Sequence, residues 1–166
     1  MRARRVMLAV VTWSFCLAAT AQDRGPLTSG GLTPNQELDI LEVVVRYAIK
    51  EGQSPCRNLV SSAAYCLSVR SQDPTSDLLK RLADVRPQVL SASECQRRGI
   101  IEGIASTIDP GINVWWLKTT GDESVKTRVT IYCDTSEPTL TWRGSRWVLA
   151  GGMWVGCGPV PVGCEP

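Results

Sequence analysis

Seven cysteines and no histidine stand in this 166-residue chain. Cys16 lies in an apolar opening segment. The other six are Cys56, Cys66, Cys95, Cys133, Cys157 and Cys164. Cysteines at this frequency serve either metal binding or cross-linking. Zinc sites use closely spaced ligand pairs, commonly completed by histidine. Here there is no Cys-x-x-Cys pair and no imidazole, so a metal is not expected. An even number of cysteines in an exported chain reads instead as three disulfides, each contributing on the order of 2–4 kcal/mol. Locally, Cys157 and Cys164 flank Gly-Pro-Val-Pro-Val-Gly, in which the prolines stiffen the chain and the glycines let it turn back. This predicts a Cys157–Cys164 bridge around a rigid loop. Cys95–Cys133 is then expected between the middle segment and the central strand, with Cys56–Cys66 as the remainder. That last pair requires a bend, because ten residues of straight strand span about 33 Å. Without the bend, either cysteine would reach the tail.

The missing histidine also removes Ser-His-Asp and Cys-His catalysis. No phosphate-binding or dinucleotide-binding glycine motif is present, so no cofactor is expected. Carboxylate chemistry remains, with Glu94, Glu102, Asp109, Asp122, Glu123, Asp134 and Glu137 as candidates by residue type. Two suitably placed carboxylates cleave glycosides, but no spacing here pairs any two. They read as turn residues and solvated charges.

Aromatic and basic residues offer a different chemistry. In the segment Ser124 to Asp134, Lys126 and Arg128 alternate with Val125, Thr127 and Val129 and share one face with Tyr132. Arg143 and Arg146 join them if the sheet is continuous. Trp115 and Trp116 are adjacent in a strand read over Ile112 to Thr119, so they are expected on opposite faces, with Trp115 taken as the outward one. Trp115, Lys126, Arg128, Tyr132, Arg143 and Arg146 thus form a candidate flat site for a sugar or an anionic group. The alternative is an ordinary solvated sheet face.

The elements that position these groups are readable from periodicity. Ser124 to Val155 alternates apolar and polar residues on both sides of a proline-marked break, the pattern of half-buried strands. Gly144-Ser145 fits a two-residue type II′ turn. That register sets Trp142 against Trp147 and Leu140 against Leu149, with these four side chains on the core face. Thr33-Pro34-Asn35-Gln36 opens a helix through a capping box with proline at the first position. Its stripe is Leu38, Leu41, Val45 and Ala48, widened by Val44 and Ile49, and Gly52 is read as its stop. A strand follows over Leu59 to Val69. Asp73-Pro74-Thr75-Ser76 opens a short helix with Leu78, Leu79, Leu82 and Val85 on its apolar side, ending before Pro87. Gln88 to Ser91 reads as a strand, and Ser93 to Thr107 suits helix or strand. The expected class is α+β: two helices on one face of a mostly antiparallel meander sheet, braced by disulfides.

The two ends of the chain are read separately. Arg2, Arg4 and Arg5, an apolar run from Val6 to Ala18 and Ala19-Thr20-Ala21 make residues 1–21 a signal peptide. Residues before Cys16 are too large for a lipid-anchor signal, and the apolar run is too short for a permanent membrane span. Residues 22–32 read as a flexible lead-in, 33–155 as one domain and 156–166 as a Cys/Pro/Gly-rich tail. Without Arg2, Arg4 and Arg5, 15 basic residues remain against 16 acidic ones, a net charge of −1. No strong field points to nucleic acid.

The element order, a Ser-x-Cys step at Ser93 and Cys95, Tyr132-Cys133, and Gly-x-x-Trp at Gly144 and Trp147 together resemble small secreted bacterial proteins of unknown function. The likeness runs from about Tyr65 to Val148 and excludes the Cys157 to Cys164 tail. It implies secretion and an α+β fold; no activity comes with it. The expected role is a secreted or periplasmic binding domain for a glycan or protein ligand, leaning away from catalysis. The alternatives are a small hydrolase using paired carboxylates and an inhibitor-like protein presenting its C-terminal loop.

Overall fold

A computed structural model describes residues 31–53, 64–100, 111–121, 123–131 and 134–156. The first helix, α1 (Pro34–Gly52), begins as its sequence directs. The Thr33 hydroxyl accepts from the Gln36 amide at 3.3 Å, and the Gln36 side chain accepts from the Thr33 amide at 2.8 Å. Its buried stripe includes Ile40, Leu41, Val44, Val45, Ala48 and Ile49. Leu38 is partly buried against it. Gly52 has a role other than the expected stop. It is the last helical residue, followed by Gln53 in the right-handed region. A Cβ on Gly52 would lie 2.6 Å from Ile131 Cδ1, so glycine here lets the helix end rest on the sheet.

The sheet is mixed. Strand β1 (Ala64–Val69) leads through α2 (Ser76–Arg81) to β2 (Gln88–Ser91), then through α3 (Ala92–Arg97) toward β3 (Gly111–Gly121). β1 runs parallel to both β2 and β3 and lies between them. From β3 onward the pairing is antiparallel. β4 (Ser124–Ile131) pairs with β3 on one side. On the other it meets β5 (Asp134–Ser136) with its C-terminal half and β6 (Thr139–Trp142) with its N-terminal half. β7 (Trp147–Gly151) pairs with β6, and β8 (Trp154–Val155) pairs with β5. In effect β5 and β6 are one strand interrupted at Glu137-Pro138, and β7 and β8 are another interrupted at Gly152-Met153. The two interruptions lie side by side: a Cβ on Gly152 would meet Pro138 Cα at 3.0 Å. The expected α+β class with a mostly antiparallel sheet holds. The parallel β2-β1-β3 unit was not anticipated, because local periodicity does not encode which distant strand a segment joins.

The second hairpin has the expected register, with Trp142 opposite Trp147 and Leu140 opposite Leu149. Gly144 takes φ +68°, as the first central position of that turn demands. Leu140, Trp142 and Trp147 are buried, and the two indoles meet edge to face with centroids 5.6 Å apart. They join Val125, Val129 and Ile131 of β4 and the stripe of α1 in one core. Tyr47 of α1 stacks on Trp154 at 5.7 Å. α2 is capped by Thr75, which accepts from the Leu78 amide, and buries Leu78; Leu82 at its C-cap and Val85 beyond its end join the same core. Arg46 and Arg81 clasp the two helices together: Arg46 reaches Asp84 at 2.7 Å and Arg81 reaches Asp39.

α3 lies on the opposite face. Cys66 alternates with the core residues Tyr65 and Leu67 along β1, so it points away from the core cluster, and it is bonded to Cys95 of α3. The Cys66–Cys95 disulfide corrects both expected pairings of these two cysteines, Cys56–Cys66 and Cys95–Cys133. The reason is topological. The β2-to-β3 connection crosses over β1, which brings α3 above the β1 cysteine although 29 residues separate them. Cys56, Cys133, Cys157 and Cys164 lie outside the described residues, as does the expected Cys157–Cys164 loop. The Ser93 to Thr107 segment begins within a helix capped by Ser91, and residues 101–107 lie outside the described residues. The expected signal segment also lies there.

Candidate functional site

The part of the outer sheet face that α3 and the other described residues leave uncovered is formed by β3, β4 and the β6-β7 hairpin. The placement of its tryptophans depends on the first of two irregularities in the β3–β4 ladder. Val114 pairs with Val129 and Trp116 pairs with Arg128, so Trp115 is an extra residue in the ladder. A bulge of this kind places two residues opposite one and shifts the alternation by a position. The expectation that adjacent tryptophans take opposite faces is therefore wrong. Trp115 donates its indole N–H to Thr130 Oγ1 at 3.2 Å, and Trp116 lies 5.9 Å from the Arg128 guanidinium that sits over its ring. Thr130 and Arg128 are two apart on β4 and share the outer face, so both indoles are there. Trp115 is 45% exposed. After the bulge, Leu117 turns to the core and Lys118 turns out, opposite Lys126.

Three of the six proposed site residues, Trp115, Lys126 and Arg128, are brought together here. Sequence reasoning missed Trp116 and Lys118. Glu137, read from sequence as an acid by residue type alone, lies among them: at the interruption between β5 and β6 it binds Lys126 Nζ at 2.9 Å and Arg128 Nε at 2.9 Å. Lys126 first, and then Arg128, hold the Glu137 carboxyl below its usual range by hydrogen bonding. The clasp is therefore present above the ordinary carboxylate range and is lost only as pH falls through that depressed value. Arg143 and Arg146 flank the hairpin turn, exposed and on the outer side by alternation from the buried Trp142 and Trp147. The Arg143 amide donates to the Arg146 carbonyl at 2.9 Å, which sets the two residues opposite each other. Among the described residues no ion pair ties them to the Lys126 cluster. Tyr132 lies outside the described residues.

The carboxylate candidates do not assemble. Glu94 is paired with Arg97 and Arg98, which lower its pKa. Glu137 is held as above. Glu123 is exposed in the turn before β4, where its carbonyl accepts from the Trp142 amide. Asp134 opens β5. Glu102, Asp109 and Asp122 are outside the described residues. Carboxylates held by cations stay ionised and act only as acceptors, the reverse of the raised pKa that a general acid needs. Among the described residues no cluster of three potential metal ligands occurs.

A second concavity of about 400 Å³ opens where the carboxyl end of β1 meets the first turns of α1 and α2. Its floor includes Leu38, Leu41 and Leu78, and its rim includes Glu37, Arg70 and Asp73. Arg70 and Ser71 both have positive φ, +53° and +61°, unusual for residues with side chains. The polar groups at the rim satisfy one another. Arg70 binds Glu37 at 3.0 Å. Asp73 accepts from both the amide and the hydroxyl of Ser93, bonds that lower its pKa and tie the β1 loop to the start of α3. Asp73, read from sequence as part of a helix opening, is thus a brace between two crossovers.

Among the described residues no helix is long and apolar enough to cross a membrane. No protein-family model, no curated protein and no solved structure matches this chain.

Proposed function

We propose that this chain is an exported, disulfide-braced binding domain that holds a glycan on its outer sheet face without catalysing a reaction. The observation that carries the reading is the bulge at Trp115. It turns both indoles to one face, and the hydrogen bond to Thr130 fixes the exposed ring. An oriented indole offers apolar area at little entropic cost, and the flanking polar groups supply the wet rim that ligand faces combine with it. Export is supported by the leader pattern of residues 1–21 and by a disulfide, which persists in oxidising compartments. The non-catalytic part is supported by carboxylates locked in ion pairs and by the missing imidazole. The likeness to small secreted bacterial proteins supports the export half only.

Two measurements test it. N-terminal sequencing of exported protein is expected to begin at Gln22, and a retained Met1 on exported material refutes the export half. In a glycan-binding screen Trp115→Ala is expected to lose at least about tenfold in affinity, corresponding to about 1.4 kcal/mol. Its melting point should change little, because the ring is half exposed. Undiminished binding by Trp115→Ala, or turnover of a glycan abolished by one carboxylate substitution, refutes the site half.

A further inference from the structure

The outer face contains two pairings that a sheet ordinarily avoids. Lys118 on β3 lies directly opposite Lys126 on β4. Arg143 lies opposite Arg146 across the hairpin turn. Like charges placed opposite each other on one face destabilise a sheet. Only Lys126 of these four has a carboxylate within ion-pair distance among the described residues, and Glu137 divides its charge between Lys126 and Arg128. The face therefore carries Lys118, Lys126, Arg128, Arg143 and Arg146 against Glu137, in a chain whose mature charge is −1. Among the described residues Glu137 is the one acid paired with these cations, while Asp39 and Glu42 engage arginines on the helical side. Basic charge is thus concentrated on the face that carries the tryptophans.

Resting on the glycan reading above, we infer that the ligand is an acidic polysaccharide, bearing carboxylate or sulfate groups along its length. The spacing favours a chain over a single small anion. Lys126 is level with Thr139, and Arg143 is four residues further along the same strand, about 13 Å away at about 3.3 Å per residue. One small anion cannot bridge that distance, whereas a chain carrying repeated acidic groups meets both like-charge pairs and relieves the repulsion in each. Trp115, beside the first pair, supplies the surface on which a sugar ring rests.

The test uses the processed full chain with four probes: heparin for sulfate, polygalacturonate for carboxylate, neutral dextran, and a single-stranded oligonucleotide. Binding to heparin or polygalacturonate is expected, weakening at least about tenfold between about 0.05 M and about 0.5 M sodium chloride because exposed charges are screened. Retention of polygalacturonate identifies carboxylate recognition, and retention of heparin, which carries both groups, without polygalacturonate identifies sulfate. The double variant Lys118→Glu with Arg146→Glu is expected to lose at least about tenfold in affinity while melting no lower than the parent, since each change turns a like pair into an opposite pair. Should it misfold, Lys118→Gln removes one charge under the same binding criterion. Undiminished binding by the folded variants overturns the inference. Equal retention of the oligonucleotide also overturns it, as charge without recognition. Salt-insensitive, Trp115-dependent binding of neutral dextran overturns the acidic ligand but leaves the glycan reading standing. Failure to bind any glycan overturns both.

Discussion

Trp147→Ala is expected to lose about 3–5 kcal/mol of unfolding free energy, the range for removing a large buried aromatic. Trp147 is 3% exposed. It packs edge to face on Trp142 and closes the hairpin end of a core whose other side is α1. Truncation leaves an indole-sized void that the ring of Trp142 cannot fill. Trp147→Phe should cost much less. It keeps a ring against Trp142 and deletes a buried N–H that has no hydrogen-bond partner among the described residues. Urea unfolding followed by circular dichroism reads both. A loss below roughly 1 kcal/mol for the alanine variant, the range of surface changes, would place Trp147 outside the core.

The second large effect is expected from replacing Cys66 and Cys95 together by alanine. The bridge closes a loop of 29 residues that contains α2 and β2. Chain-entropy reasoning assigns about 3–4 kcal/mol to a loop of that size. The double substitution leaves neither partner of this bridge as an unpaired thiol, so the comparison reports the cross-link and the packing of two buried sulfurs. With both proteins measured under reducing conditions, the parent should converge on the variant. A variant as stable as the oxidised parent would show that α3 is held by packing alone.

What was legible in the sequence, and what was not, divides by range. The capping box at Thr33 and Gln36 acts over three residues, and it formed as read. The register of Leu140, Trp142, Trp147 and Leu149 follows from alternation across a two-residue turn, because a slip by one would bury arginines. The cysteine pairing was misread because spacing along the chain is silent about crossovers. Only once β2 is known to return parallel to β1 does Cys95 come above Cys66. The bulge was illegible for another reason. A Trp-Trp step has the same composition whether the ladder is regular or carries an extra residue, and the pairing partner decides. That single position moved Trp116 and Lys118 onto the candidate face and Leu117 into the core. Glu137 was on the list of acids, but its place between Lys126 and Arg128 depends on where the strand breaks at Pro138.

The placement of α3 has a consequence for motion. β1 is covered by α1 and α2 on one side and by the bonded α3 on the other, with strands along both edges. Its amides are reached by water only when the whole domain opens. The far half of β3, from Trp116 to Gly121, has the core on one side only, and its last four residues are exposed. Opening there is local and shallow. Amide hydrogen exchange should therefore be slowest in Tyr65 to Leu67 and fastest toward Thr120, and equal protection at the two ends would contradict it. The slow end coincides with the covalent brace and the fast end with the Lys118 and Trp115 surface. A ligand settling on that surface would extend slow exchange across the sheet, ordering its loose half without moving its rigid one.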